Sequence, residues 1–320
     1  MKQEPDPRTG RRRPSSVFIA IATLIASVGA LLLLMPRTDS SCAPGGHEMG
    51  AYEWRIEAWD SPEQAADLIS AAEDLCLETV YVDVTGLAAE AHQDSIASSL
   101  VQLLDLAEAS PIEIGALAGD PWWATPEGER DAIAVIEEIN RINTGRSRPI
   151  SELHFDVEPW GLNEWTERRA LWSRSYVDFT TAMTEARDSL GSERLALAFL
   201  IPYWFDGTNG EAPLIDVDGV QDYPFQHLAS SPAENVTWIV MAYRDRAEGP
   251  GGIIELITDE TEALVTIGLA LETAPVDPLT ITFSDETRAA LDDELTAVFA
   301  AIDLDQVTIN DLESLRSLQD

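Results

Sequence analysis

Residues 152–160 read ELHFDVEPW, and this stretch decides the fold. Leu153, Phe155 and Val157 alternate with His154, Asp156 and Glu158, the period of two that a strand imposes on its faces. An apolar face packed against helices, opposite a polar face directed inward, suits a strand of a closed barrel. Working outward, strands are expected at 52–58, 79–84, 112–118, 152–158, 195–203, 236–243, 265–272 and 306–310. Helical patterns fall between them, at 62–75, 95–109, 127–143, 163–190, 225–229, 252–263 and 285–302. Ser61 before Pro62 and Asn163 before Glu164 are helix starts. Eight strands alternating with helices predict an α/β fold, a (β/α)8 TIM barrel over 51–320. An open doubly wound sheet is the alternative, but the first strand is not followed by a glycine-rich phosphate fingerprint.

Ahead of the barrel, residues 17–35 (VFIAIATLIASVGALLLLM) form a 19-residue apolar run behind Arg11, Arg12 and Arg13. That is long enough to cross a bilayer, and the basic flank keeps residues 1–16 cytoplasmic and sends the rest outside. The run ends in Met35-Pro36-Arg37 without a small-residue cleavage site, so a transmembrane signal anchor is expected, with a cleaved signal peptide and a secreted product as the alternative. Residues 36–50 are rich in Pro, Gly and Ser and read as a linker. Cys42 and Cys76 would then meet an oxidising compartment, where either a disulfide or an unpaired buried Cys76 fits.

Residues 38–320 carry 14 basic and 55 acidic side chains, a net charge of −41. A surface so negative repels phosphate backbones, which argues against nucleic acid as a partner. Lys2 is the only lysine, a composition common to proteins kept soluble in salty surroundings and to chains with high-GC codon bias. With 45% hydrophobic residues the chain buries a core, and a monomer is expected.

The inward residues carry the chemistry. Asp156 and Glu158 end the fourth strand, Tyr81 and Asp83 point inward from the second, and Gly268, Ala270 and Glu272 share one face of the seventh. Charges at the C-terminal ends of barrel strands mark the usual place of an active site. Glu158 and Glu272 across the mouth would equip a glycosidase with a protonated general acid and an ionised nucleophile. Trp59, Trp122, Trp123, Trp160, Tyr203, Trp204 and Tyr243 fall at or beyond strand ends, where aromatic faces stack on sugar rings; Trp54, Trp172 and Trp238 are expected to pack between barrel and helices. Asp83, Asp120, His154 and Asp245 are candidate polar contacts to substrate, and no cofactor is expected. In the first strand, Tyr52, Trp54 and Ile56 are expected outward and Arg55 inward, paired with Asp83 or Asp156 or tuning that carboxylate.

HFDVEPW (residues 154–160) resembles the D-x-D-x-E fourth-strand motif of chitinase-like family 18 glycoside hydrolases, and MAYRD (residues 241–245) resembles their sixth-strand M-x-Y-D. The resemblance implies that Glu158 is the acid, that Asp156 supports it and orients a substrate N-acetyl group, and that Tyr243 and Asp245 complete the site. In this chain His154 stands at the motif's first Asp, and Arg244 separates Tyr243 from Asp245. The chain is also similar to clan A barrels, whose acid follows strand four and whose nucleophile follows strand seven. That implies Glu158 and Glu272, with Val157 where those barrels have Asn.

Two other functions fit the same residues. His154, Asp156, Glu158, Asp83 and Asp120 could hold a divalent cation for phosphodiester or amide hydrolysis. A barrel that binds glycans at the cell surface without cleaving them is the other.

Overall fold

The computed structural model describes residues 47–318 except 193, 211, 231–233 and 265, and the side chain of Asn209 is left aside. In the second and fourth strand segments Val80, Val82, Val84, Leu153, Phe155 and Val157 have no exposed surface and pack toward the helices. In chain order the elements are β1 (Met49–Glu53), α1 (Pro62–Asp74), β2 (Thr79–Asp83), α2 (Glu90–Ala107), β3 (Glu113–Ala118), α3 (Glu129–Asn143), β4 (Glu152–Phe155), α4 (Trp165–Ser189) and β5 (Ala196–Pro202). A small hairpin follows, β6 (Ile215–Val217) and β7 (Val220–Asp222), then α5 (Pro224–Ala229) and β8 (Val236–Met241). The chain continues through α6 (Ile253–Ala263), β9 (Ile267–Glu272), α7 (Arg288–Ala301), β10 (Gln306–Asn310) and α8 (Leu312–Ser317). Eight strands close a parallel barrel in the order β1-β10-β9-β8-β5-β4-β3-β2, while β6 and β7 pair only with each other. Closure runs through β1 and β10, with Met49 opposite Val307 and Ala51 opposite Ile309.

The helices start where the sequence supplies caps. Ser61 accepts from the Gln64 N–H at the head of α1, Thr287 accepts from Ala290 N–H at α7, and Asp311 accepts from Ser314 N–H at α8. The strands end sooner than alternation alone predicts. In β4 the ladder stops at Phe155, Asp156 N–H still reaches the Ala118 carbonyl at 2.9 Å, and Pro159, with no N–H to give, opens a short 3-10 turn.

The first strand corrects an expectation. β1 begins at Met49, inside the stretch assigned to the linker; Met49 and Ala51 face the helices, and Tyr52 and Trp54 face the barrel interior. Tyr52 is fully buried there because its hydroxyl finds a partner at His154 Nδ1, 2.9 Å away. Arg55 does not enter the barrel to meet Asp83 or Asp156. It pairs with Glu53 and Glu313 with its side chain 47% exposed, which spares a guanidinium the cost of leaving water.

Aromatic rings fill the lower interior, and glycines make room for them. A Cβ at Gly50 would come within 2.7 Å of the Tyr81 ring and one at Gly115 within 2.3 Å, so both neighbours of Tyr81 lack side chains. Tyr81 O–H donates to Glu152 at 2.6 Å, at the N-terminal end of the barrel. Residues 1–46, which include the apolar run and Cys42, lie outside the described residues. Among the described residues no helix is long and apolar enough to cross a membrane.

Candidate active site

The C-terminal rim gathers Asp156, Glu158, Glu272 and Tyr243. Asp156 and Glu158 reach the interior because β4 alternates, and their approach depends on Gly119 at the end of β3. A Cβ at Gly119 would stand 1.9 Å from the Asp156 carbonyl oxygen. Burial, then the Glu158 charge, holds the Asp156 carboxyl well above the usual range. Burial also raises Glu158, against a hydrogen bond from the Trp160 indole. The Tyr243 hydroxyl ties the group together: burial pushes it far up, and Asp156, Glu158, Glu272 and Tyr52 add to the shift, so all four act on one oxygen. Tyr176 of α4 closes the outer side beneath Asp156 and Glu158, donating its proton to the Leu200 carbonyl at 2.6 Å.

Glu272 is built differently. It is 6% exposed, its Oε1 accepts from Ala274 N–H at 2.6 Å and its Oε2 accepts from Asn310 Nδ2 at 2.7 Å. Asn310 is itself oriented by Trp54, whose indole N–H donates to Asn310 Oδ1 at 2.7 Å. Burial raises the Glu272 carboxyl while the bonds from Ala274 and Asn310 pull it back. Trp54 and Asn310 are the site residues that sequence reasoning missed. Asn310 stands two residues after the inward Thr308, so parity could have found it, whereas Trp54 shares the face of Tyr52, which was expected outward.

The aromatic residues divide. Trp160, Trp165 and Trp204 form a cluster, with ring centroids 5.6 Å apart for Trp160–Trp204 and 5.8 Å for Trp165–Trp204. Trp122 is 50% exposed near this rim. Trp123 and Trp59 are buried and pack in the core between barrel and helices, Trp123 against Phe155, so neither offers a free face; Trp238 packs there too, as expected. Tyr203 lies under Arg244, whose Cζ is 5.1 Å from the ring centroid and whose Nη2 donates to the Tyr203 hydroxyl.

Of the remaining candidates, Asp83 is raised by burial and accepts from Thr85 N–H. Asp120 is exposed and caps the short turn before Trp122, which occupies one of its oxygens. Asp245 anchors its loop through its backbone N–H to Thr280 O. His154 has no exposed surface and lies below the mouth, between Tyr52 and Glu152. Among the described residues no three His, Cys, Asp or Glu side chains converge as a metal site, so the five residues weighed for a cation are not assembled for one.

No family model matches the chain, and no curated protein matches it in sequence. Its fold has relatives. A GH18 chitinase from Pseudoalteromonas aurantia superposes with a TM-score of 0.56 at 9% identity, covering 82% of this chain and 93% of that one. A GH18 chitinase from Cycas revoluta, in complex with allosamidin, gives 0.55 at 10% identity over 84% of this chain and 96% of that one. The same enzyme with (GlcNAc)3 gives 0.54 with the same identity and coverage. The chain thus shares with these enzymes the fold of a TIM barrel.

Proposed function

We propose that the protein is a glycoside hydrolase, with Glu158 as the general acid on the glycosidic oxygen and Asp156 as its neighbour in the site. The observation that carries this reading is the pair itself: two inward carboxyls two residues apart just beyond β4, both held up by burial and both acting on the Tyr243 hydroxyl. A raised pKa lets Glu158 keep the proton it must give to the leaving oxygen as the C1–O bond breaks. Trp122, Trp160 and Trp204 supply aromatic faces on the same rim, a feature that favours sugar rings as ligands. The chitooligosaccharide bound by a structural neighbour makes N-acetylglucosamine polymers the first substrates to try.

The positive charge that develops at C1 is met either by the acetamido oxygen of the substrate or by Glu272. Glu272 is held in place by Asn310 and Ala274 at the mouth, an arrangement suited to either a nucleophile or a fixed counter-charge. In the same reading the domain is exported and stays tethered by residues 17–35.

The test compares wild type, Glu158→Gln and Glu272→Gln on chitin, peptidoglycan, glucan and mannan fragments. Glu158→Gln is expected to lose ~10²- to 10⁴-fold in turnover with its fold intact. Loss in Glu272→Gln rescued by azide identifies the nucleophile, and near-normal turnover identifies substrate assistance. Full activity in both variants overturns the assignment. Binding of glycans without cleavage by wild type replaces it with a noncatalytic glycan receptor.

A further inference from the structure

Arg244 stands on the rim, and the proposed acid chemistry makes no use of it. Pro202 and Met241 lie side by side at the ends of β5 and β8, and the chain carries on from each to Tyr203 and to Tyr243-Arg244. The guanidinium is tied down by three bonds. Its Nε donates to Gly251 O at 3.0 Å, its Nη1 to Tyr243 O, and its Nη2 to the Tyr203 hydroxyl at 3.2 Å, with Cζ over the Tyr203 ring. All three acceptors are neutral. In a chain with 55 acids for 14 bases beyond residue 37, Arg244 has no carboxylate partner among the described residues. Asp245 beside it makes no ion pair with it, and Asp206 accepts from both donors of Thr208.

The donors at this place outnumber the acceptors. A guanidinium has five N–H groups, and with three engaged one is left on each terminal nitrogen. The Tyr203 hydroxyl accepts from Nη2, and its own proton has no acceptor among the described residues. Two half-buried side chains in mutual contact therefore present three hydrogens and one positive charge, with no oxygen of the protein to take them. The bonds and the ring beneath hold the fork still. A neutral sugar hydroxyl would take one hydrogen and leave the charge unmet, whereas a carboxylate accepts from both terminal nitrogens and neutralises it. Trp204, the next residue after Tyr203, belongs to the aromatic cluster of Trp160 and Trp165. The acidic surface opposes an anionic glycan at long range, but salt screens that opposition beyond ~10 Å at 0.1 M while sparing a half-buried contact.

We infer that Arg244 and Tyr203 form a carboxylate subsite on the rim, so that the glycan taken by this protein is an acidic one. The carboxylate is either that of a uronate ring or that of a lactyl ether, as on a muramic acid unit. The inference rests on the glycan reading proposed above and names the substrate class that reading leaves open.

The test measures binding by calorimetry at moderate NaCl, using the full chain with Glu158→Gln so that the ligands survive. Two matched pairs are compared: an oligouronate with its carboxyl-reduced form, and the GlcNAc–MurNAc disaccharide with the GlcNAc dimer, which lacks the lactyl group. The readout is the ratio of Kd values within a pair, which a general weakening of the site does not move. At least one pair is expected to favour its acidic member by ~10-fold or more, and that pair identifies the source of the carboxylate. Adding Arg244→Gln should bring the ratio close to unity, and Arg244→Lys, which keeps the charge without the fork, should leave it in between. Should Arg244→Gln not fold, Tyr203→Phe, which keeps the ring and removes one donor, carries the test by lowering the same ratio. No acidic preference in either pair while the neutral members bind, or a preference that survives these substitutions, overturns the subsite and leaves Glu158 standing as the acid. Failure of all four ligands to bind overturns the subsite together with the glycan reading. Acidic preference lost with Arg244 in a protein that cleaves nothing keeps the subsite and removes only the catalysis.

Discussion

Asn310 shows how much one amide governs at this rim. It donates to Glu272 Oε2 while accepting from the Trp54 indole, so it links the residue that follows β1 to the carboxylate that ends β9. Replacing it with Leu leaves a buried carboxylate oxygen without its donor and an indole N–H without its acceptor, at a cost of about 1–3 kcal/mol. Asn310→Leu should therefore lower the melting temperature and raise the Glu272 midpoint further, measured by calorimetry and by carboxyl NMR titration. An unchanged Glu272 midpoint would mean that Ala274 N–H alone holds the carboxylate. The inward direction of Asp156, Glu158 and Glu272 was legible from alternation, because each stands on the face opposite an apolar set, Leu153, Phe155 and Val157 in one segment and Ile267, Leu269 and Leu271 in the other. Trp54 was not: Tyr52, Trp54 and Ile56 alternate with Glu53, Arg55 and Glu57, and turning the apolar set toward the helices chose the wrong face. A barrel interior accepts Tyr and Trp when their polar tips find partners, as Tyr52 does at His154 and Trp54 at Asn310.

At the scale of elements, the succession of strands and helices was readable throughout, while the ends were not. Proline at position 159 shortens β4 for a reason visible in the sequence, but the early start of β1 at Met49 follows from pairing with β10, a contact no local pattern encodes. The hairpin of β6 and β7 was also missed, since three-residue strands carry no usable period. Helix α6 carries a testable liability. Glu260 is 1% exposed, neither of its carboxylate oxygens has a partner, and burial with help from Asp206 and Asp259 raises its pKa from an ordinary 4.5 to about 8. Between those two values the folded chain holds a proton that the unfolded chain has lost, so stability falls as pH rises through that window and levels off above it. Glu260→Gln should flatten this slope and raise the melting temperature most at pH 9. Equal slopes for both proteins between pH 5 and 9 would show that Glu260 keeps an ordinary pKa.

Charge dominates the whole molecule. With 14 basic residues for 55 acids beyond residue 37, most carboxylates have no cation to meet. Several of the ion pairs that do form join neighbours on one helix, such as Arg174–Asp178 and Arg288–Asp292, which are exposed or partly so and worth little. Self-repulsion should therefore fall as salt shortens the Debye length to ~10 Å at 0.1 M. The melting temperature is expected to rise between low and moderate NaCl, and a flat or falling response would locate the stability elsewhere. The proposed export and anchoring are tested separately, by mass analysis of the protein isolated from its cells, which should retain residues 2–35.

The seam between β1 and β10 has a consequence in time. Ala51 lies beside Ile309, so the pair that completes the ring joins a segment made early in synthesis to one made very late. A ribosome delivers the chain in order, and until residue 310 emerges β1 and β9 each stand with a bare hydrogen-bonding edge. Throughout that wait the nascent domain is open to edge-to-edge association with its neighbours on the same messenger. The final strand acts as a latch, and the pairing it makes spans nearly the entire domain, the kind of distant contact that slows folding.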